Sequence, residues 1–189
     1  MKTVNNNIII GSHNTMSYLP PKHRWMRLFR FLAKCQSKTL LEQLDAGAEA
    51  VDLRVCFDRR GVAYFAHGLM SFQCPVPFEK VLDRLPPYTA VRLILERERR
   101  ASDERQFMRL CRAVESTYPY LVFFGGRSKR TWRRLYTFKA EENGELPLHQ
   151  HVGSMAIDAR WYEKIIPALY HRRKGHARPS AGINLYDFI

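Results

Sequence analysis

Residues 43 to 54 read Gln43-Leu44-Asp45-Ala46-Gly47-Ala48-Glu49-Ala50-Val51-Asp52-Leu53-Arg54, and the fold class follows from them. Leu40, Leu41 and Leu44 recur at helical spacing across Lys38 to Ala46, and Gly47 is a helix stop. Ala50 to Val55 beyond it is a β-like run. A helix handing over to a strand is the unit from which parallel α/β sheets and barrels are built.

Outward from this unit the alternation continues. Upstream, the β-branched run Ile8 to Ile10 ends at Gly11; downstream, Val62 to Ala66 follows a turn around Asp58 to Gly61. Further strands are predicted at Val91 to Leu95, Leu121 to Phe124, Ser154 to Ile157 and Gly182 to Tyr186. Helices are predicted over Phe78 to Leu85, halted by Pro86 and Pro87, over Ser102 to Ser116 and over Glu163 to Arg173. In the second of these, Phe107, Leu110, Cys111 and Val114 share one face. Seven strands are one short of a closed eight-stranded barrel. The expected fold is therefore α/β: a small TIM-type barrel, open or incomplete, built by one domain over residues 1 to 189.

At 189 residues and 46% hydrophobic, the chain has enough apolar material for a sizeable core. No repeat or linker divides it. No apolar run approaches the ~20 residues of a membrane span, and Met1 to Asn7 lacks the apolar stretch of a secretory signal. A cytoplasmic location is expected for the chain as given, with export by a non-classical route as the alternative. Cys35, Cys56, Cys74 and Cys111 show no CxxC or finger spacing and are expected as free thiols. Thirty-one Lys and Arg against eighteen Asp and Glu give a net charge of +13, concentrated at Arg97 to Arg100, Arg127 to Arg134 and His171 to Arg178. Such an excess favours anionic partners without choosing among phospholipid, phosphorylated substrate and nucleic acid.

Polar residues cluster where strands end, which in parallel α/β folds is where reacting groups gather. Ile8 to Ile10 run into His13-Asn14-Thr15, the second strand carries Asp52 and Arg54, the third ends at His67-Gly68 and the fourth at Glu96. Two imidazoles suit phosphodiester cleavage, one removing a proton while the other protonates the leaving oxygen. Arg54 would offset charge on the transition state. Singly, each of these residues has an ordinary structural role; their joint spacing is the specific signal.

Gly11-Ser12-His13-Asn14-Thr15, then Gln43 to Arg54, then Ala66-His67-Gly68 resemble the X-region of phosphatidylinositol-specific phospholipases C, in consistent order from Ile8 to about Arg99. The resemblance implies a barrel that cleaves phosphatidylinositol by attack of the inositol 2-hydroxyl on phosphorus, releasing diacylglycerol and a cyclic inositol phosphate. It implies His13 as general base, His67 as general acid and Arg54 on the phosphate. Asp187 would partner His13, while the carboxylate that partners the second histidine in bacterial enzymes is replaced by Asn14. Arg54 follows the bacterial, metal-free pattern, so no cofactor is expected. Asn14, Asp52 and Glu96 match positions of the eukaryotic calcium site and give calcium as the alternative; without a metal they are substrate contacts.

For the head group, Arg127 and Asp158, with Trp161 and Tyr162 nearby, suit a polyhydroxylated ring. His149 and His151 read as loop residues without metal. Trp25, Met26, Leu28, Phe29, Phe31 and Leu32, mixed with Lys22, His23, Arg24, Arg27 and Arg30, form a basic amphipathic segment suited to the surface of an anionic bilayer. A phospholipid substrate, peripheral membrane contact and a monomer are expected, and nucleic acid is not. Two other functions fit the same residues: a metal-dependent glycerophosphodiester or sphingolipid phosphodiesterase, and an inactive barrel binding anionic lipid or nucleic acid.

Overall fold

A computed structural model describes residues 8–142, 147–152 and 156–189. Six strands form a curled parallel sheet in the order β7 (Leu148–His151), β8 (Gly182–Tyr186), β1 (Ile8–Ser12), β2 (Ala50–Phe57), β5 (Ala90–Leu95) and β6 (Val122–Ser128). Two more, β3 (Ala63–His67) and β4 (Met70–Ser71), make an antiparallel hairpin on the upper part of β2. Among the described residues no ladder joins β6 to β7. The result is a half-barrel open on that side.

Alternation along the strands sorts the residues. Val51, Leu53 and Val55 of β2 and Val91, Leu93 and Leu95 of β5 join the large core, packing with Phe107, Cys111 and Val114 of α3 (Ala101–Thr117) and Val81 and Leu82 of α2 (Phe78–Leu82). Ala50 and Ala90, from the opposite face of the same strands, share a small inner cluster with Phe124, Ile183 and Leu185. On that inner face Asp52, Arg54, Arg92 and Glu96 are buried. The barrel interior is thus half apolar floor and half ionic. Gly11 permits the closeness of β1, β2 and β8, because a Cβ there would meet Ala50 Cβ at 2.6 Å and Leu185 Cδ2 at 2.8 Å.

The helix before β2 is α1 (Leu40–Asp45), opened by a reciprocal Thr39/Glu42 cap and closed at Gly47, whose φ of 95° is open to glycine at no steric cost. On one edge β2 pairs with β1 at Ala50 and Val51 and with β3 from Val55 onward. Between them, Thr15 Oγ1 accepts the Asp52 N–H at 2.9 Å. That break in the ladder leaves room for side chains over Asp52 to Arg54.

The structure corrects several sequence expectations. Leu148–His151 is strand β7, paired with β8, although its mixed His and Gln composition has no strand periodicity. The strand expected at Val62 to Ala66 is antiparallel to β2 and ends at His67. Ser154 lies outside the described residues, and Ile157 sits fully exposed in a turn. The helix expected over Glu163 to Arg173 is two, α5 (Trp161–Ile165) and α6 (Pro167–Lys174), because Pro167 disfavours helical geometry at Ile166. The Pro86-Pro87 stop acts earlier than expected, at Leu82, and β6 runs on through the glycines to include Arg127. A short α4 (Lys139–Glu142) precedes β7. The four cysteines are free, and no helix among the described residues is long and apolar enough to cross a membrane.

Candidate active site

His13 follows the last residue of β1 and is 3% exposed. Its backbone is held by Tyr186, whose carbonyl accepts the His13 N–H at 2.8 Å, and by Gln36 Nε2, which donates to the His13 and Tyr186 carbonyls at 3.0 and 2.8 Å. The next residue, Asn14, adopts φ 47° and ψ 54°, a left-handed conformation that asparagine tolerates. This turn directs the Asn14 N–H to Asp52 Oδ2 at 3.1 Å.

The imidazole lies between two charged groups. Nδ1 is 2.7 Å from Asp187 Oδ1 and Nε2 is 2.6 Å from Arg54 Nη2. A guanidinium only donates, so Nε2 accepts and Nδ1 carries the proton that goes to Asp187. Burial alone would raise the Asp187 carboxyl, but His13 and His171 outweigh it and hold it below the usual aspartate range. His171 of α6 approaches the other oxygen, Nε2 to Oδ2, at 3.5 Å.

Arg54 is clamped from both sides. Nε and Nη2 reach Asp52 Oδ2 at 3.0 and 2.9 Å, and Nη1 lies 3.4 Å from Glu96 Oε2. Burial works against its charge, yet Asp52 and Glu96 keep it protonated with a raised pKa. Glu96 Oε1 also accepts from Gly68 N at 2.6 Å and from Lys129 Nζ at 2.5 Å. This pins the His67-Gly68 end of β3 to the rim.

His67 stands at the mouth, its ring centroid 6.1 Å from that of His13 and almost perpendicular to it. Nδ1 faces the Ala33 carbonyl at 3.1 Å, with Cys35 Sγ at 3.8 Å. The partner is thus a carbonyl where His13 has a carboxylate. Burial, then the charges of Arg54 and Lys129, push His67 down to about 3, so the imidazole is neutral near pH 7. A backbone carbonyl cannot offset those cations as a carboxylate would.

His13, Asn14, Asp52, Arg54, His67, Glu96 and Asp187 therefore meet where the parallel strands β1, β5 and β8 end, over the middle of β2 and beside the end of the antiparallel β3. Arg127 lies apart, on the wall of a cleft of about 600 Å³ on the open side of the half-barrel, with Arg92, Trp132, Arg134 and Gln150. Asp158 and Trp161 are not brought to either place. Asp158 pairs with Tyr170 and Lys174, both at 3.0 Å, and Trp161 is 74% exposed with its ring against Tyr162. Lys129, Gln36, Arg92, Cys35 and His171 belong to the site's surroundings without any signal in a motif. Only the position of Lys129 just after β6 hints at a rim residue.

A half-barrel with its charged side chains at the C-terminal rim is a TIM-type architecture. Among solved structures, the phosphatidylinositol-specific phospholipase C from Listeria monocytogenes is similar to it, with a TM-score of 0.61 over 100% of this chain and 91% of that one. Sequence identity is 17%, so the likeness is one of fold. No protein-family model matches the chain and no curated protein matches it.

Proposed function

We propose that this protein is a phosphodiesterase that cleaves phosphatidylinositol by an intramolecular, metal-free route. The observation that carries this is the line Asp187–His13–Arg54, with His67 across the mouth from His13. Phosphate oxygens entering the mouth would draw Arg54 Nη2 from His13 Nε2. That nitrogen, freed, takes the proton of the 2-hydroxyl as its oxygen attacks phosphorus, and Asp187 stabilises the imidazolium that forms. Arg54 offsets the charge developing on the equatorial oxygens. His67 then protonates the leaving diacylglycerol oxygen, and the anionic substrate beside it raises its proton affinity from the low value of the free protein. The products are diacylglycerol and a cyclic inositol phosphate.

The absence of a metal step is supported by the donors themselves. Asp52 Oδ2 is occupied by Arg54 and Asn14 N, Glu96 by Lys129, Gly68 N and Arg54, and the guanidinium stands between the two carboxylates where a cation would sit. Asn14, Asp52 and Glu96 do not fit a calcium ion.

Access from a bilayer is supported by the rim around His67. The segment Arg24–Leu32, a 3-10 run with no buried residue, shows Trp25 65% and Leu28 78% exposed, and Leu69 opposite is 83% exposed. Trp25, Met26, Phe29, Leu32 and Leu69 line a groove of about 390 Å³ that reaches His67. Apolar side chains among Arg24, Arg27 and Arg30 suit the surface of an anionic membrane.

The deciding assay is release of water-soluble inositol phosphate from phosphatidylinositol vesicles, in excess chelator and in added calcium. Turnover in chelator is the expected result. Turnover only with calcium overturns the metal-free route, and none in either overturns the proposed activity.

A further inference from the structure

The cleft between β6 and β7 carries more positive charge than the chemistry at the rim uses. Arg92, on β5, points into the barrel from the position paired with Asp52 and is only 5% exposed in its side chain. Its Nη1 is buried with no hydrogen-bond partner among the described residues. Asp52 Oδ1, at 3.7 Å, is beyond hydrogen-bonding distance, and the other Asp52 oxygen is held by Arg54 and Asn14. Arg127 lines the same cleft, and its side chain has no hydrogen bond or ion pair among the described residues. Among the described residues of the lining the one carboxylate, Glu141, lies 3.5 Å from Arg134, a third arginine.

A buried guanidinium with unmet donors is costly unless an anion meets it. Burial and the neighbouring charges of Arg54 and Arg127 weaken the Arg92 proton, as expected where cations outnumber anions. The backbone is shaped to hold this arrangement. A bulge shifts the β5–β6 register after Leu93, at Gly125, where a Cβ would meet Arg92 Cγ at 3.3 Å and Leu93 O at 2.9 Å. Glycine there lets the Arg92 stem lie against β6 with its head toward the cleft. Hydroxyls of a neutral ring would satisfy donors and leave the charge unbalanced, whereas a tetrahedral dianion meets both needs, with oxygens to spare for two forked donors.

We propose that this cleft is a phosphomonoester subsite, in which Arg92 and Arg127 grip a tetrahedral dianion beyond the site of diester cleavage. The dianion comes either from a phosphate borne on the lipid head group, a source that rests on the phosphodiesterase function proposed above, or from a free phosphate. Both offer the same chemistry to the two arginines.

The test begins with inorganic phosphate, titrated calorimetrically into the full chain. Two classes of site are expected, one at Arg54 and one in the cleft. Arg127→Gln and Arg92→Gln should each weaken the cleft site about tenfold or more, as loss of a charge-assisted hydrogen bond does. Arg172→Gln, on the exposed face of α6, should change neither. Arg127 is half-buried and outside the core, so its variant keeps the test valid if Arg92→Gln does not fold. Phosphate affinity unchanged within about twofold in Arg127→Gln overturns the subsite.

The second arm compares vesicles of phosphatidylinositol with vesicles of phosphatidylinositol monophosphate. Preference for the phosphorylated lipid, lost in Arg127→Gln, identifies the head group as the source; equal turnover alongside cleft binding of phosphate identifies the free ion. Absence of turnover with either lipid would remove the proposed activity, while the phosphate titration would still decide the subsite.

Discussion

Up to Ser128 the strands pack against the capped α1, the buried face of the short α2 and the 17-residue α3, and the large core draws on this part of the chain and the short stretch to Phe138. From Lys139 onward the helices span four, five and eight residues, and Ile165 and Trp161 stand exposed. The later part is held to the first by the β8–β1 ladder, by Ile183 and Leu185 against Ala50 and Ala90, and by Asp187 on His13. One part supplies the packed scaffold and most of the site; the other completes the site with one carboxylate. A catalytic group on a lightly packed segment can still be placed accurately when it ends a strand inserted in the sheet.

Removing chemistry from the packed part should show the largest effect. His13→Ala and Arg54→Gln are each expected to lower release of inositol phosphate by about 10³-fold or more with a native circular dichroism spectrum. Unimpaired turnover in either would remove that residue from the mechanism. Asp187→Asn tests the lightly packed part. A loss on the order of 10²- to 10³-fold, in kcat more than in KM, is expected, because the amide cannot stabilise an imidazolium. An equal loss on deleting Gln36 hydrogen bonds with Gln36→Leu would show instead that Asp187 acts by bracing the C-terminus.

The rim gives a smaller effect of a different kind. Trp25→Ser should weaken sedimentation with anionic vesicles by about tenfold without moving the thermal midpoint, since Trp25 is largely exposed. A midpoint that falls would make the segment a packing element of the first part.

pH probes His67 through stability. His67 is held at about 3 in the fold against about 6.5 unfolded, so the unfolded chain binds the extra proton between these values. This contribution is complete above about pH 6.5 and is lost as the pH falls toward 3. Asp52 and Asp187, both depressed, add a further loss below about pH 3.8. Urea midpoints of His67→Asn should therefore decline less between pH 6.5 and 4 than those of the parent, with the remaining slope owed in part to His176, which burial also lowers. A parallel decline would show that His67 is not buried neutral.

How much could be read beforehand follows the same division. The helix stop at Gly47, the strand Ala50 to Val55 with Arg54 on it, and the strand-end positions of His13, His67 and Glu96 depend on neighbours in sequence, and they are legible there. Strand β7 is not, because Leu148-His149-Gln150-His151 has a strand's place without a strand's residues and owes its form to pairing with β8. Asp158 and Trp161, placed by analogy with strand ends, follow a segment with no strand at Ile157 and lie elsewhere.

The sequence by itself determined the α/β alternation, the residue types at the rim and the surplus of positive charge, since periodicity and spacing are local properties. Only the tertiary structure decided that, among the described residues, the half-barrel stays open beside β6, that the Ala33 carbonyl stands behind His67, and that Arg92 reaches a cleft where its Nη1 meets no hydrogen-bond acceptor among those residues. These are distances between residues far apart in the chain, set by sheet curvature and strand register, and no run of neighbouring residues encodes them.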